Sequence, residues 1–148
     1  MKDRIIDWTG KSTTELFRLI QESPKMFVAD LQDKKGYVEP RLGDYLQKML
    51  DSHEMTISDL IVKSLLSKSF VYQIFSGRRN PGRDILLRIA FVMHLSLEET
   101  QHLLLIGGKG ILYPKVRRDA AMIYCLEQGM PLDETDEFLC SVSERGLL

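Results

Sequence analysis

Apolar residues return every three or four positions along nearly the whole chain, and no stretch alternates apolar with polar residues over the length of a strand. The periodicity predicts helices throughout. Ser12-Thr13-Thr14-Glu15 has the form of a capping box and precedes Leu16, Phe17, Leu19 and Ile20. Ser23-Pro24 offers an N-cap and a proline at the first helical position, opening a short helix through about Gln32. "KKGYVEP" reads as a linker. From Arg41, residues Leu42, Tyr45, Leu46, Met49 and Leu50 fall at i, i+3, i+4, i+7 and i+8, which is one buried stripe.

Thr56 caps a helix to about Ser64, with Leu60 and Ile61 turned inward. After a turn at Leu65-Leu66, Ser67 caps a helix that Gly77 ends by supplying a positive φ. Asn80-Pro81-Gly82 is a turn, and a helix follows from Arg83 to about Met93. Ser96-Leu97-Glu98-Glu99 is another capping box, opening a helix that stops at Gly107-Gly108. Beyond "GGKGILYP" come helices near 115–128 and 132–143. Arg83–Leu104 aligns without gaps to Arg118–Leu139, sharing Arg-Asp, Leu-acid-Glu-Thr and a closing Leu. The alignment predicts two helical hairpins at a 35-residue period.

Composition changes this picture only slightly. A length of 148 residues, 44% apolar and 28% charged, suits a chain that buries a core without staples. Cys125 and Cys140 have no metal-ligand spacing and form no disulfide framework, so they read as core thiols in a reducing, cytoplasmic setting. The first residues, "MKDRIIDWTGKSTTEL", lack the clean apolar block of a signal peptide, and no run approaches a membrane span.

Charge is more informative. The formal net charge is −1, yet residues 63–88 hold six basic residues against Asp84 alone. Residues 111–148 carry four basic and seven acidic residues. One basic patch therefore stands on a balanced molecule, which argues against indiscriminate coating of nucleic acid.

The basic patch sits on a constellation suited to duplex DNA. A helix entering the major groove needs short polar side chains at its N-terminal end, where free N–H groups and the dipole also favour phosphate. Ser67, Lys68 and Ser69 supply that end, and Gln73 lies one turn on with Tyr72 beside it. Val71, Ile74 and Phe75 form the opposite, apolar face. Arg78 and Arg79 follow the glycine, placed to hold phosphate as the chain leaves the groove.

"TISDLIVKSLLSKSFVYQIFSGRRNP", Thr56 to Pro81, resembles the helix-turn-helix of the Cro/CI repressor-like (XRE-type) DNA-binding family, and "RDILLRIAFVMHLSLEETQHLL" is similar to that family's last two helices. The resemblance covers roughly residues 42–107. It implies an all-α, lambda-repressor-like five-helix domain at 39–109, flanked by an N-terminal helical extension at 1–38 and a C-terminal helical pair at 110–148. The order of these parts resembles that of small bacterial regulators. By position, Lys68, Ser69, Tyr72 and Gln73 would contact bases, and Thr56, Ser67, Arg78 and Arg79 would contact phosphate. The chain departs from the family at Ile57, where glutamine is common, and at Leu65, where glycine is common. A leucine with positive φ there would carry a steric cost.

The expected function is a sequence-specific, double-stranded DNA-binding transcriptional regulator, a homodimer by analogy, with a protein partner at its N- or C-terminal helices. The alternative is an antitoxin or regulatory adaptor that keeps the scaffold and has lost DNA binding. Other chemistries find little support. "TGKST" lacks the first glycine of a phosphate-binding loop, whose place falls on Ile5. His53, His94 and His102 have no ligand spacing, and no nucleophile, acid or base constellation suggests an enzyme. No cofactor or metal is expected.

Overall fold

Caps and left-handed stops divide the chain into short helices. The computed structural model describes residues 13–32 and 41–148, without the side chains of Thr13 and Asp30. The described residues are all-α, and none of their helices is long and apolar enough to cross a membrane. The chain divides between Pro40 and Arg41 into two units. In the first, α1 (Thr13–Glu22) packs on α2 (Pro24–Leu31). The expected cap at Ser12 and the linker at 34–40 lie outside the described residues.

The second unit holds α3 (Leu42–Ser52), α4 (Ile57–Ser64), α5 (Lys68–Ser76), α6 (Arg83–Val92), α7 (Leu97–Ile106), α8 (Arg117–Glu127) and α9 (Leu132–Ser141). Helix α3 packs on α5 and α7, and α4 packs on α6. Tyr45, Leu46, Met49 and Leu50 of α3 are buried, as are Leu60 of α4 and Val71 and Ile74 of α5. Thr56 and Ser96 each form a full capping box, with Asp59 and Glu99 respectively.

Six helices end in the same way. Glu54, Gly77, His94, Gly108, Gly129 and Ser143 are left-handed, and the next residue's N–H reaches the carbonyl five positions back. Those bonds, Met55 to Leu50, Arg78 to Gln73, Leu95 to Ala90, Lys109 to Leu104, Met130 to Cys125 and Glu144 to Leu139, measure 2.8–3.0 Å. They explain why α9 stops before 143. Helix α8 starts later than 115 because Val116 is extended, with φ −87° and ψ 121°.

Several expectations need correction. Cys125 is buried, but Cys140 is exposed, because it sits one position past the buried stripe of Leu132, Thr135 and Leu139. Ile61 and Phe75 are half-buried.

The sequence repeat is a structural one, and it extends further than the residue identities did. Helices α7 and α9 match end to end at the 35-residue offset. The two Arg-Asp pairs exchange partners across it. Arg83 grips Asp119 with two hydrogen bonds of 2.8 Å, and Arg118 reaches Asp84 at 2.9 and 3.3 Å. Arg83 also donates to the carbonyls of Gly110 and Ile111. Arg118 does the same to Arg145 and Gly146, each 35 residues on. The Leu112 N–H donates to Gln101, and the Leu147 N–H to Asp136, its counterpart.

Helices α6 and α9 pack together, as do α7 and α8. A cavity of about 240 Å³ lies between the hairpins, lined in part by three equivalent pairs: Phe91 with Leu126, His94 with Gly129, Leu95 with Met130. Reciprocal contacts of this kind are those of two like bodies facing one another about a twofold axis. Here both bodies belong to one chain.

Candidate nucleic-acid interface

Helix α5 is short, and its seating comes from three sides. Val71 and Ile74 are fully buried. Gly43 on α3 has no side chain, so α3 comes close enough that any Cβ there would collide with the Phe75 carbonyl oxygen. The turn before α5 is built on Leu65, left-handed at φ 60° and ψ 21° and 70% exposed. Ser64, buried beneath it, accepts at Oγ from the Leu66 N–H and at its carbonyl from Arg88 Nε, at 3.3 and 2.7 Å. Arg88 therefore positions the turn from α6.

Capping leaves useful protons at both hydroxyls assigned to phosphate. Ser67 Oγ accepts from the Phe70 N–H at 3.1 Å, and Thr56 Oγ1 accepts from the Asp59 N–H at 3.1 Å. Each hydroxyl keeps its own O–H free to donate. Their electrostatics differ. The hydrogen bond from the Thr56 backbone holds the Asp59 carboxyl below the usual carboxylate range, so a negative charge stands beside Thr56. The first turn of α5 has no acid, and its dipole acts undiluted at Ser67.

On the outer face of α5, Lys68, Ser69 and Tyr72 are exposed, Tyr72 by 45%. Lys68 Nζ lies 6.0 Å from the Tyr72 ring centroid. Gln73 links two neighbours: its Nε2 donates to Ser69 Oγ at 3.4 Å, and its Oε1 accepts from Arg79 Nε at 3.1 Å. Arg79 folds back over the helix, 5.9 Å from the Phe70 ring centroid, instead of extending past it. Gly77 makes this return possible with φ 83°, and the Arg78 and Arg79 N–H groups both bond the Gln73 carbonyl. Arg78 is exposed. No carboxylate among the described residues pairs with Lys68, Arg78 or Arg79.

The structure thus brings Lys68, Ser69, Tyr72, Gln73 and Arg79 onto one helix and its return, with Ser67 at the helix start and Arg78 at its exit. Thr56 stands one helix earlier. Two members of the basic patch drop out of it. Arg83 is spent on Asp119, and Arg88 on the Ser64 carbonyl. The signal for Arg83 lay in the repeat, since an Arg-Asp pair recurring at an equivalent place marks a structural role. No sequence signal identified Arg88. No family model, curated protein or solved structure matches this chain.

Proposed function

We propose that residues 42–107 form a lambda-repressor-like helix-turn-helix domain and that the protein is a sequence-specific transcriptional regulator that binds double-stranded DNA. Helix α5 reads the major groove with Lys68, Ser69, Tyr72 and Gln73. Thr56, Ser67, Arg78 and Arg79 hold phosphate. One observation carries the reading: a helix buried on one face carries short polar groups on the other, beside guanidinium and ammonium groups that no carboxylate among the described residues neutralises. Arg79 adds a refinement, because its bond to Gln73 orients the glutamine amide for a base edge. One short helix reads few base pairs, so two copies on adjacent half-sites supply the specificity.

Selection from randomised duplexes tests this. An enriched motif is expected, with Lys68→Ala and Gln73→Ala each losing about 1–3 kcal/mol of discrimination at one position. Arg78→Ala should weaken all sequences alike and reduce the salt slope by about one. A pool without a motif, bound no worse by the variants, overturns the proposal.

A second reading, a protein-interaction module on the same scaffold, draws on the exposed Tyr72, Val62 and Leu65. Salt separates the two, because phosphate contacts weaken steeply with ionic strength and an apolar interface does not.

A further inference from the structure

The two hairpins bury the same interior. Leu87 and Met122, Ala90 and Cys125, Thr100 and Thr135, and Leu104 and Leu139 are all buried, and the members of each pair stand 35 residues apart. Their outer faces differ. Ile89, Met93 and Leu103 of the first hairpin are buried in the unit where α3 and α4 pack against α7 and α6. The counterparts are Tyr124, Gln128 and Phe138, of which Tyr124 is 47% exposed and Gln128 is exposed. The rings of Tyr124 and Phe138 lie 5.1 Å apart, an aromatic pair exposed at Tyr124 and half-buried at Phe138.

Charge distinguishes the faces in the same sense. On the first hairpin α3 brings His53 to Glu99 at 3.1 Å, and Tyr45 Oη donates to the Glu99 carbonyl at 2.9 Å. Glu134 is the counterpart of Glu99, and no cation pairs with it among the described residues. The surrounding segment is acidic, with seven carboxylates against four basic residues over 111–148.

We propose that the Tyr124–Phe138 face binds an amphipathic helix of a partner protein, as the first hairpin binds α3. Apolar residues one turn apart cover the rings, and a Lys, Arg or His of the partner meets Glu134. The duplication specifies the occupant, because in the first copy α3 packs on α7, the counterpart of α9, with its apolar stripe inward and His53 beside Glu99. This proposal does not depend on DNA binding.

A phage library of helical peptides, panned on the full chain, tests it. The expected winners carry apolar residues at i and i+4 with a basic residue one turn beyond. For the best peptide, fluorescence anisotropy should show Tyr124→Asp weakening binding about thirtyfold or more. Glu134→Lys should weaken it about fivefold, more at low salt. Both side chains are exposed, and an unchanged melting temperature would verify that the variants remain folded. Peptides without that pattern, or peptides that bind Tyr124→Asp as well as the parent, overturn the proposal. So does sedimentation showing self-association that Tyr124→Asp abolishes, which would make the occupant a second copy.

Discussion

At Leu65 a branched side chain occupies backbone space that suits glycine. Its φ of 60° brings Cβ toward the following carbonyl, a cost of about 1–2 kcal/mol. With 70% of the residue exposed, little burial compensates. Leu65→Gly should therefore stabilise the protein by about 0.5–1 kcal/mol, after the greater freedom of glycine in the unfolded chain is subtracted. A higher urea midpoint with unchanged slope is the expected result. A lower midpoint would mean that the leucine side chain contributes packing that outweighs the strain. Sequence reading located this position as one where positive φ would be costly, and the structure adopts that φ.

Among the helices, the exchanged Arg-Asp pairs join the hairpins. Burial works to raise the Asp119 carboxyl, and the hydrogen bonds from Arg83 and the Tyr113 N–H, with the Arg83 and Arg118 charges, together outweigh it, leaving the group below its ordinary range. Asp84 is depressed in the same way by Arg118, with help from Arg145. A carboxylate whose folded pKa is lowered stabilises the fold fully above its unfolded value, about 3.9. That contribution fades as pH falls through the folded value. Stability should thus drop steeply below about pH 4. Asp119→Asn should cost about 2–3 kcal/mol at neutral pH and flatten that acid limb. Urea titrations across pH 2–7 measure both effects, and an equally steep limb in the variant would assign acid sensitivity to other groups. Glu99, also depressed against the effect of burial by Ser96 and His53, contributes in the same direction.

Across the second unit, α8 and α9 are part of the body that seats α5. A chain ending after Leu112 would leave Arg83 and Asp84 without the ion pairs they form here and would remove Leu139 and Met122 from the interior. Thermal unfolding by circular dichroism should then occur more than about 10 °C lower, or lose its single sharp transition. An unchanged melt would show that the last hairpin is an appendage. The arrangement also constrains assembly. The Arg83–Asp84 side of the first hairpin is covered by the chain's own second hairpin, so a homodimer must form through another surface.

Local interactions explain what could be read early. Capping at Thr56, Ser67 and Ser96, stripes such as Leu42 to Leu50, and the stop at Gly77 involve residues within a turn or two of each other. The sequence alone therefore determined the all-α character of the described residues, the main helix boundaries, and the 35-residue repeat. It also placed Lys68, Ser69, Tyr72 and Gln73 on one helix. Tertiary structure decided what those residues meet. It joined Arg83 to Asp119 across 36 positions and tied Arg88 to the turn at Ser64. It turned Cys140 outward, folded Arg79 onto Gln73, and covered one hairpin with α3 and α4 while leaving Tyr124 and Phe138 exposed or half-exposed. Local propensity cannot set such pairings, because they depend on which surfaces the collapse brings together, and a periodic stripe shows that a face is buried without naming the face that buries it.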